Sequence, residues 1–81
     1  MKLTGHAKLK LEIYGISENA FLKEYQKSRE QYYDEKENSL IQIIQWQAIL
    51  LAVICDADKG RIITIYRTDR QTIINRQKNT I

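Results

Sequence analysis

The strongest hydrophobic signal in the chain is a continuous apolar run over residues 48–55, bounded by polar residues on both sides. The run is too short to span a membrane and is rich in β-branched residues, so it predicts a strand buried on both faces. Residues 56–60 have the Asp and Gly content of a tight loop, in which Gly60 is free to take a positive φ. β-Branched and aromatic residues resume over 61–67. We therefore expect an antiparallel hairpin at the centre of a small sheet.

Two short helices are predicted before the sheet. An apolar i, i+4 stripe marks the first helix, over residues 3–14, with Thr4 as its N-cap. Gly15 follows as a C′ glycine that ends this helix, and Ser17 is placed to cap a second helix over residues 18–27. The stripe of the first helix consists of Leu3, Ala7, Leu11 and Tyr14.

Two further strands are predicted between these helices and the central hairpin. Residues 30–34 suit a short edge strand, and residues 40–46 a strand with imperfect alternation, in which Gln42 and Trp46 share one face. The end of this strand, near residues 45–47, is marked by neither Gly nor Pro. Short connections favour antiparallel pairing of the strands.

The predicted fold class is α+β, with two N-terminal helices packed on a mostly antiparallel sheet of about four strands. The 81 residues are expected to form a single domain, 1–81, because a chain of this length supports only one small core. That core is expected over residues 3–68. Residues 69–81 are predicted to be a basic, flexible tail, since the isoleucines in this segment are too sparse to define a helix.

Charge is unevenly distributed along the chain. Residues 1–10 carry three bases and no acid, residues 11–58 four bases and nine acids, and residues 59–81 six bases and one acid, for net charges of +3, −5 and +5. If the fold brings the first helix beside the last strand, the two basic segments merge into one cationic surface that attracts a phosphate backbone. A solvated mixture of charges with no partner is the alternative.

Composition disfavours several functional classes. We expect a cytoplasmic chain without membrane contact, because no apolar h-region follows Met1 and no segment reaches membrane-spanning length. Cys55 is the only cysteine and lies in the apolar run, so it is expected to be a buried small hydrophobe rather than half of a disulfide. With one His, one Cys and no phosphate-binding glycine loop, we expect neither a metal nor another cofactor.

The candidate chemical groups lie on the first predicted helix and the last predicted strand. His6 and Lys10 are at i, i+4 on one helix face, where the nearby ammonium favours the neutral imidazole that a general base requires. Metal-free RNA cleavage needs such a base, an acid for the leaving 5′-oxygen and cations for the phosphate oxygens. The last strand is predicted to carry a hydroxyl pair on one face and a cation pair on the other: Thr64 with Tyr66, and Arg61 with Arg67.

Three interpretations of these groups remain open. In the first, the chain is an endoribonuclease in which His6 transfers protons, Tyr66 donates a proton or stacks on a base, and the cations clamp the phosphate. In the second, the domain binds without catalysis, and nucleic acid or a partner protein contacts Arg61, Arg67 and Arg70. In the third, an exposed edge strand forms a homodimer with a structural role. A surface histidine and a Thr-x-Tyr packing pair are the simplest alternatives to any site.

Three short motifs follow one another in a fixed order. They are Thr-x-His-Ala at residues 4–7, followed by Lys10, then Gly-Ile-Ser at residues 15–17, and Thr-x-Tyr at residues 64–66. Together they resemble a family of small domains of unknown function that is placed near the RelE/ParE-like ribonuclease toxins. The resemblance covers roughly residues 3–68.

This resemblance implies a RelE-like fold and a cytoplasmic, metal-independent endoribonuclease of the toxin type. It also implies RNA as the substrate and an antitoxin protein as a partner. His6 matches the histidine of the family, and Thr64 and Tyr66 match its terminal strand motif. Lys10 stands where the family commonly has arginine.

Overall fold

A computed structural model of the chain describes residues 2–56, 58 and 60–78. Within these residues, three helices and a mixed sheet of five strands give an α+β fold, which confirms the predicted class. The elements in chain order are β1 (Lys2–Leu3), α1 (Gly5–Tyr14), α2 (Glu18–Lys27), β2 (Glu30–Asp34), β3 (Ser39–Trp46), β4 (Ile49–Asp56), β5 (Arg61–Thr68) and α3 (Arg70–Lys78). The structure therefore has one helix and one strand more than the sequence predicted.

The sheet has the strand order β1-β5-β4-β3-β2. Strands β2 to β5 pair antiparallel with their neighbours in sequence, and β1 pairs with β5 in parallel. The predicted central hairpin is β4 and β5, and Gly60 takes the predicted positive φ, at 64°. The amide of Gly60 closes the loop by donating to the Asp56 carbonyl over 3.3 Å. Ala57 and Lys59 of the predicted loop lie outside the described residues.

Each face of the sheet is covered by helices. The face under α1 and α2, called the α1/α2 face, carries the larger core, while the other face, called the α3 face, carries a smaller one. Side chains of β4 alternate between the two cores, so residues 49–55 of the apolar run contribute to both faces as predicted, whereas Ala48 lies in the turn before β4 and is exposed. The α1/α2 face buries Ala7, Leu11, Phe21, Ile44, Leu51, Val53, Cys55, Ile62 and Ile65, and the α3 face buries Ile41, Ile43, Ala52 and Ile73.

The ends of α1 and α2 follow the predicted capping signals. The Thr4 hydroxyl accepts from the Ala7 amide over 3.2 Å, and Gly15 adopts the left-handed conformation at φ 70°. The Ser17 hydroxyl likewise accepts from the Ala20 amide at the start of α2. Helix α1 begins at Gly5, as an N-cap at Thr4 predicts, whereas Leu3 of the predicted apolar stripe belongs to β1.

Gln42 explains the imperfect alternation of β3. Its side chain is buried on the α1/α2 face, where its amide nitrogen donates to the Tyr25 carbonyl over 2.9 Å. The carbonyls of the last helical turn have no partner within their own helix. Gln42 therefore satisfies one of them at the end of α2, while the hydroxyl of Ser28 donates to the Ile43 carbonyl and ties the same helix end to β3.

Thr4 joins α1 to the last strand. Its hydroxyl donates to the Ile63 carbonyl over 2.8 Å, and its amide donates to the Ile62 carbonyl over 3.0 Å. At this point the β4–β5 register shifts, since Ile54 lies opposite Thr64 and Cys55 opposite Ile62. Ile63 is thus the extra residue of a β-bulge, and the Thr4 hydroxyl satisfies its carbonyl.

The segment predicted to be a flexible tail contains α3. Asp69 caps this helix by accepting from the Thr72 amide over 2.8 Å, and Ile73 is buried among the apolar side chains of the α3 face. A single buried side chain gives no apolar periodicity, so the sequence pattern did not indicate a helix. Residues 79–81 of the predicted tail lie outside the described residues. In the part of the chain that is described, no helix is long and apolar enough to cross a membrane.

Replacing Thr4 should cost more stability than replacing the other helix cap, Ser17. We expect Thr4→Ala to lower the free energy of unfolding by about 2 kcal/mol, because it removes a cap and leaves the Ile63 carbonyl without its donor. Ser17→Ala removes only an exposed cap and should cost about 1 kcal/mol or less. Urea denaturation of the two variants measures the difference, and equal losses would contradict the joining role of Thr4.

Candidate nucleic-acid interface

A cleft of about 540 Å³ opens at one end of the sheet, between the β3–β4 turn, the end of β5 and the first turn of α3. We call it the end cleft. Leu50 and Arg70 line it on the α3 side, whereas Ile49 and Arg67 line it at the strand ends, with side chains that alternate to the α1/α2 face. Tyr66 also lines it, so three of the predicted site residues meet in one cavity. The remaining lining residues are Ala48, Thr68, Asp69 and Thr72.

Helix α1 adds a cation and an aromatic ring next to Arg67. The backbone amide of Arg67 donates to the Tyr14 hydroxyl over 3.3 Å. The Lys10 ammonium lies 6.0 Å from the centroid of the Tyr14 ring, at the outer limit of a cation–π contact. The basic first segment therefore lies beside the basic last strand, through the contact of α1 with β5. The predicted cationic surface required this arrangement.

Arg70 is held by an acidic residue from the opposite edge of the sheet. One terminal nitrogen of its guanidinium lies 2.7 Å and 2.6 Å from the two carboxylate oxygens of Glu30 on β2. This hydrogen bonding and the negative charge of Glu30 raise the pKa of Arg70 above its ordinary value. Both side chains remain open to solvent, with 58% of Arg70 and 38% of Glu30 exposed. The pair is therefore well formed but accessible to a competing anion.

Tyr66 lies on the α3 face, between the end cleft and the second half of α3. Its hydroxyl is hydrogen-bonded to Arg76, whose guanidinium carbon lies 5.5 Å from the centroid of the Tyr66 ring. Burial raises the pKa of the Tyr66 phenol, and the positive charge of Arg76 opposes that rise in pKa. The side chain is thus a neutral phenol at physiological pH, with its ring held by the helix.

The structure does not bring the predicted general base and the predicted proton donor together. His6 is exposed on α1, the helix that packs on the α1/α2 face. Thr64 and Tyr66 share a face, as predicted, but it is the α3 face, where they pair across the ladder with Ile54 and Ala52. The sheet lies between the two sets, so His6 and Tyr66 cannot both contact one phosphate.

Arg61 and Arg67 were predicted to share one face of β5, and this is wrong. Arg67 pairs across the ladder with Leu51 on the α1/α2 face, whereas Arg61 precedes Ile62, which is buried on that face, and so points to the α3 side. The bulge at Ile63 inserts one residue, and one extra residue inverts the alternation beyond it. Arg61 forms an ion pair with Asp56 over 3.3 Å and lies about 20 Å along the strand from Arg67.

Two residues of the interface were not predicted as functional. Tyr14 was assigned only to the apolar stripe of α1, and Glu30 only to an edge strand. A tyrosine four residues after Lys10 was a usable signal, because residues at i and i+4 are neighbours on a helix. The contact between Glu30 and Arg70 joins residues 40 positions apart, and no local pattern indicates it.

Comparison with known proteins adds no relative, since no protein family, curated protein or solved structure matches this chain. The relationship to the RelE/ParE-like toxins rests on the three sequence motifs and stays a prediction. The toxin-type ribonuclease activity, the antitoxin partner and the edge-strand homodimer likewise stay predictions.

The burial of Tyr66 can be tested by titration. We expect its phenol to ionise above the ordinary tyrosine range near pH 10, because removal from solvent disfavours the phenolate. Ultraviolet titration of the wild type and of Tyr66→Phe isolates the absorbance change that belongs to this residue. The part of the absorbance change that is missing in Tyr66→Phe should occur above about pH 10. If the missing part occurs below this pH, the placement of Tyr66 is contradicted.

Proposed function

We propose that this domain binds single-stranded nucleic acid in the end cleft without cleaving it. The observation that carries the proposal is that Arg67 and Arg70 are among the residues that line one cleft with Leu50 and Tyr66. Proteins that bind single strands combine cations for the backbone with apolar or aromatic surfaces for the bases. A cavity of about 540 Å³ is within the range that accommodates small ligands, and a nucleotide falls in that class.

In the proposed complex, charged residues of the cleft bind the phosphates, and apolar and aromatic residues bind the base. Arg67 and Arg70 contact phosphate oxygens, for which the planar guanidinium is well suited. Leu50 and Tyr66, which share the α3 side of the cleft, receive an unstacked base. Such contacts recognise the backbone and the π-face of any base, so binding is tolerant of sequence and strongly dependent on salt.

The placement of His6 favours binding over cleavage. General acid–base cleavage of RNA requires a base and an acid within hydrogen-bond reach of one phosphodiester. Here His6 lies on the helix layer above one face of the sheet, and Tyr66 lies on the other face. The ribonuclease hypothesis therefore lacks the assembled pair on which its mechanism depends, and binding requires only the cleft.

The proposal is tested by anisotropy of fluorescein-labelled hexauridylate, titrated with protein over a range of salt concentrations. We expect Arg67→Gln to weaken binding about tenfold at low ionic strength, because it removes a charge-assisted contact to phosphate. The slope of log affinity against log salt should flatten by about 0.7, the value for one phosphate contact on a single strand. Lys36→Gln, an equal charge change in the exposed β2–β3 loop, is the control and should have little effect.

Absence of binding would contradict this proposal, and so would two other results. Equal losses in Arg67→Gln, Arg61→Gln and Lys36→Gln would show diffuse attraction to a positively charged protein instead of binding in the end cleft. Cleavage of the hexauridylate during the titration, abolished by His6→Ala, would establish the ribonuclease interpretation in its place. Intact RNA recovered after prolonged incubation is the expected outcome.

A further inference from the structure

The contact between Glu30 and Arg70 connects the far edge strand to the end cleft. Strand β2 is separated from β5 by two strands, yet its first residue reaches the guanidinium that follows β5. Both carboxylate oxygens lie within 2.7 Å of one guanidinium nitrogen. The carboxylate therefore occupies the Nη1 donors of Arg70, which a phosphate binding at that nitrogen would also need.

Helix α3 buries few of its described side chains, and Arg70 at its start is 58% exposed. Among its described side chains only Ile73 is buried, and the neighbouring Ile74 is 44% exposed. A helix of nine residues is marginal on its own, so its position depends on a few contacts with the sheet. Those contacts include Ile73 in the small core, the Arg76–Tyr66 pair and the Glu30–Arg70 pair.

We propose that Glu30 is an autoinhibitory group, whose carboxylate competes with a ligand phosphate for Arg70 in the end cleft. This inference rests on the proposed function and adds a regulatory contact to the same site. One guanidinium cannot fully serve a carboxylate and a phosphate at once, because two negative charges brought this close repel each other. A nucleic acid must therefore displace Glu30, and the apparent affinity of the cleft includes the cost of that exchange.

Neutralising Glu30 should strengthen binding. We expect Glu30→Gln to bind labelled hexauridylate about threefold to tenfold more tightly than the wild type, because a neutral amide neither repels the phosphate nor holds Arg70 as strongly. Glu35→Gln is the matched control, since it removes the same charge from the exposed loop after β2 and should change affinity far less. Weaker binding by Glu30→Gln would overturn the proposal and make Glu30 a residue that positions Arg70.

A double-mutant cycle separates competition for Arg70 from general charge repulsion. In an Arg70→Gln background, Glu30→Gln should give a much smaller gain than in the wild type, because the contested guanidinium is absent. An equal gain in both backgrounds would overturn the proposal.

If no variant binds hexauridylate, the proposed function fails, and inorganic phosphate then becomes the probe. Larger phosphate-induced shifts of the Arg70 amide resonance in Glu30→Gln than in the wild type would support the competition on its own, and no shifts in either protein would overturn it.

Discussion

The side chain of Thr4 sets the relation between the two halves of the fold. Its hydroxyl accepts from the first turn of α1 and donates to the bulge carbonyl of β5, so one residue ends β1, starts α1 and fixes both against the last strand. The backbone amide of Thr4 donates to the Ile62 carbonyl and so extends the parallel pairing of β1 with β5. Helix α1 is thereby aligned with β5, and its far end reaches Arg67 through the Tyr14 hydroxyl. The meeting of the two basic segments is a consequence of this alignment.

Local signals were sufficient to predict most of the secondary structure. The capping residues Thr4, Gly15 and Ser17 indicated the ends of α1 and α2, and the loop before Gly60 indicated the central hairpin. The elements that were missed have weak local signals. Strand β1 has two residues, and α3 has one buried anchor. The end of β3 at Trp46 was predicted, although the following turn uses Gln47 at φ 54°, where a glycine would have marked it.

The candidate site was harder to predict because it depends on which face of the sheet each side chain occupies. Alternation along β5 correctly paired Thr64 with Tyr66. It failed for Arg61 and Arg67, because the bulge between them inverts the alternation and no residue type at Ile63 indicates a bulge. The side of the sheet on which α1 packs is determined by tertiary contacts and not by the local sequence. His6 and Tyr66 therefore had correct helix and strand assignments, yet the sequence could not show that the sheet separates them.

The bond between Thr4 and Ile63 spans 59 positions of the chain, and this distance bears on the order of folding. On a ribosome, β1, α1 and α2 emerge before strands β2 to β5, and β1 and α1 have no strand to pack against until β5 follows. The hairpins from β2 to β5 close over short loops, which is fast, whereas docking of β1 and α1 must close most of the chain into one loop. We therefore expect the antiparallel meander to form early and α1 to dock late, so that the basic surface is completed only in the last step of folding.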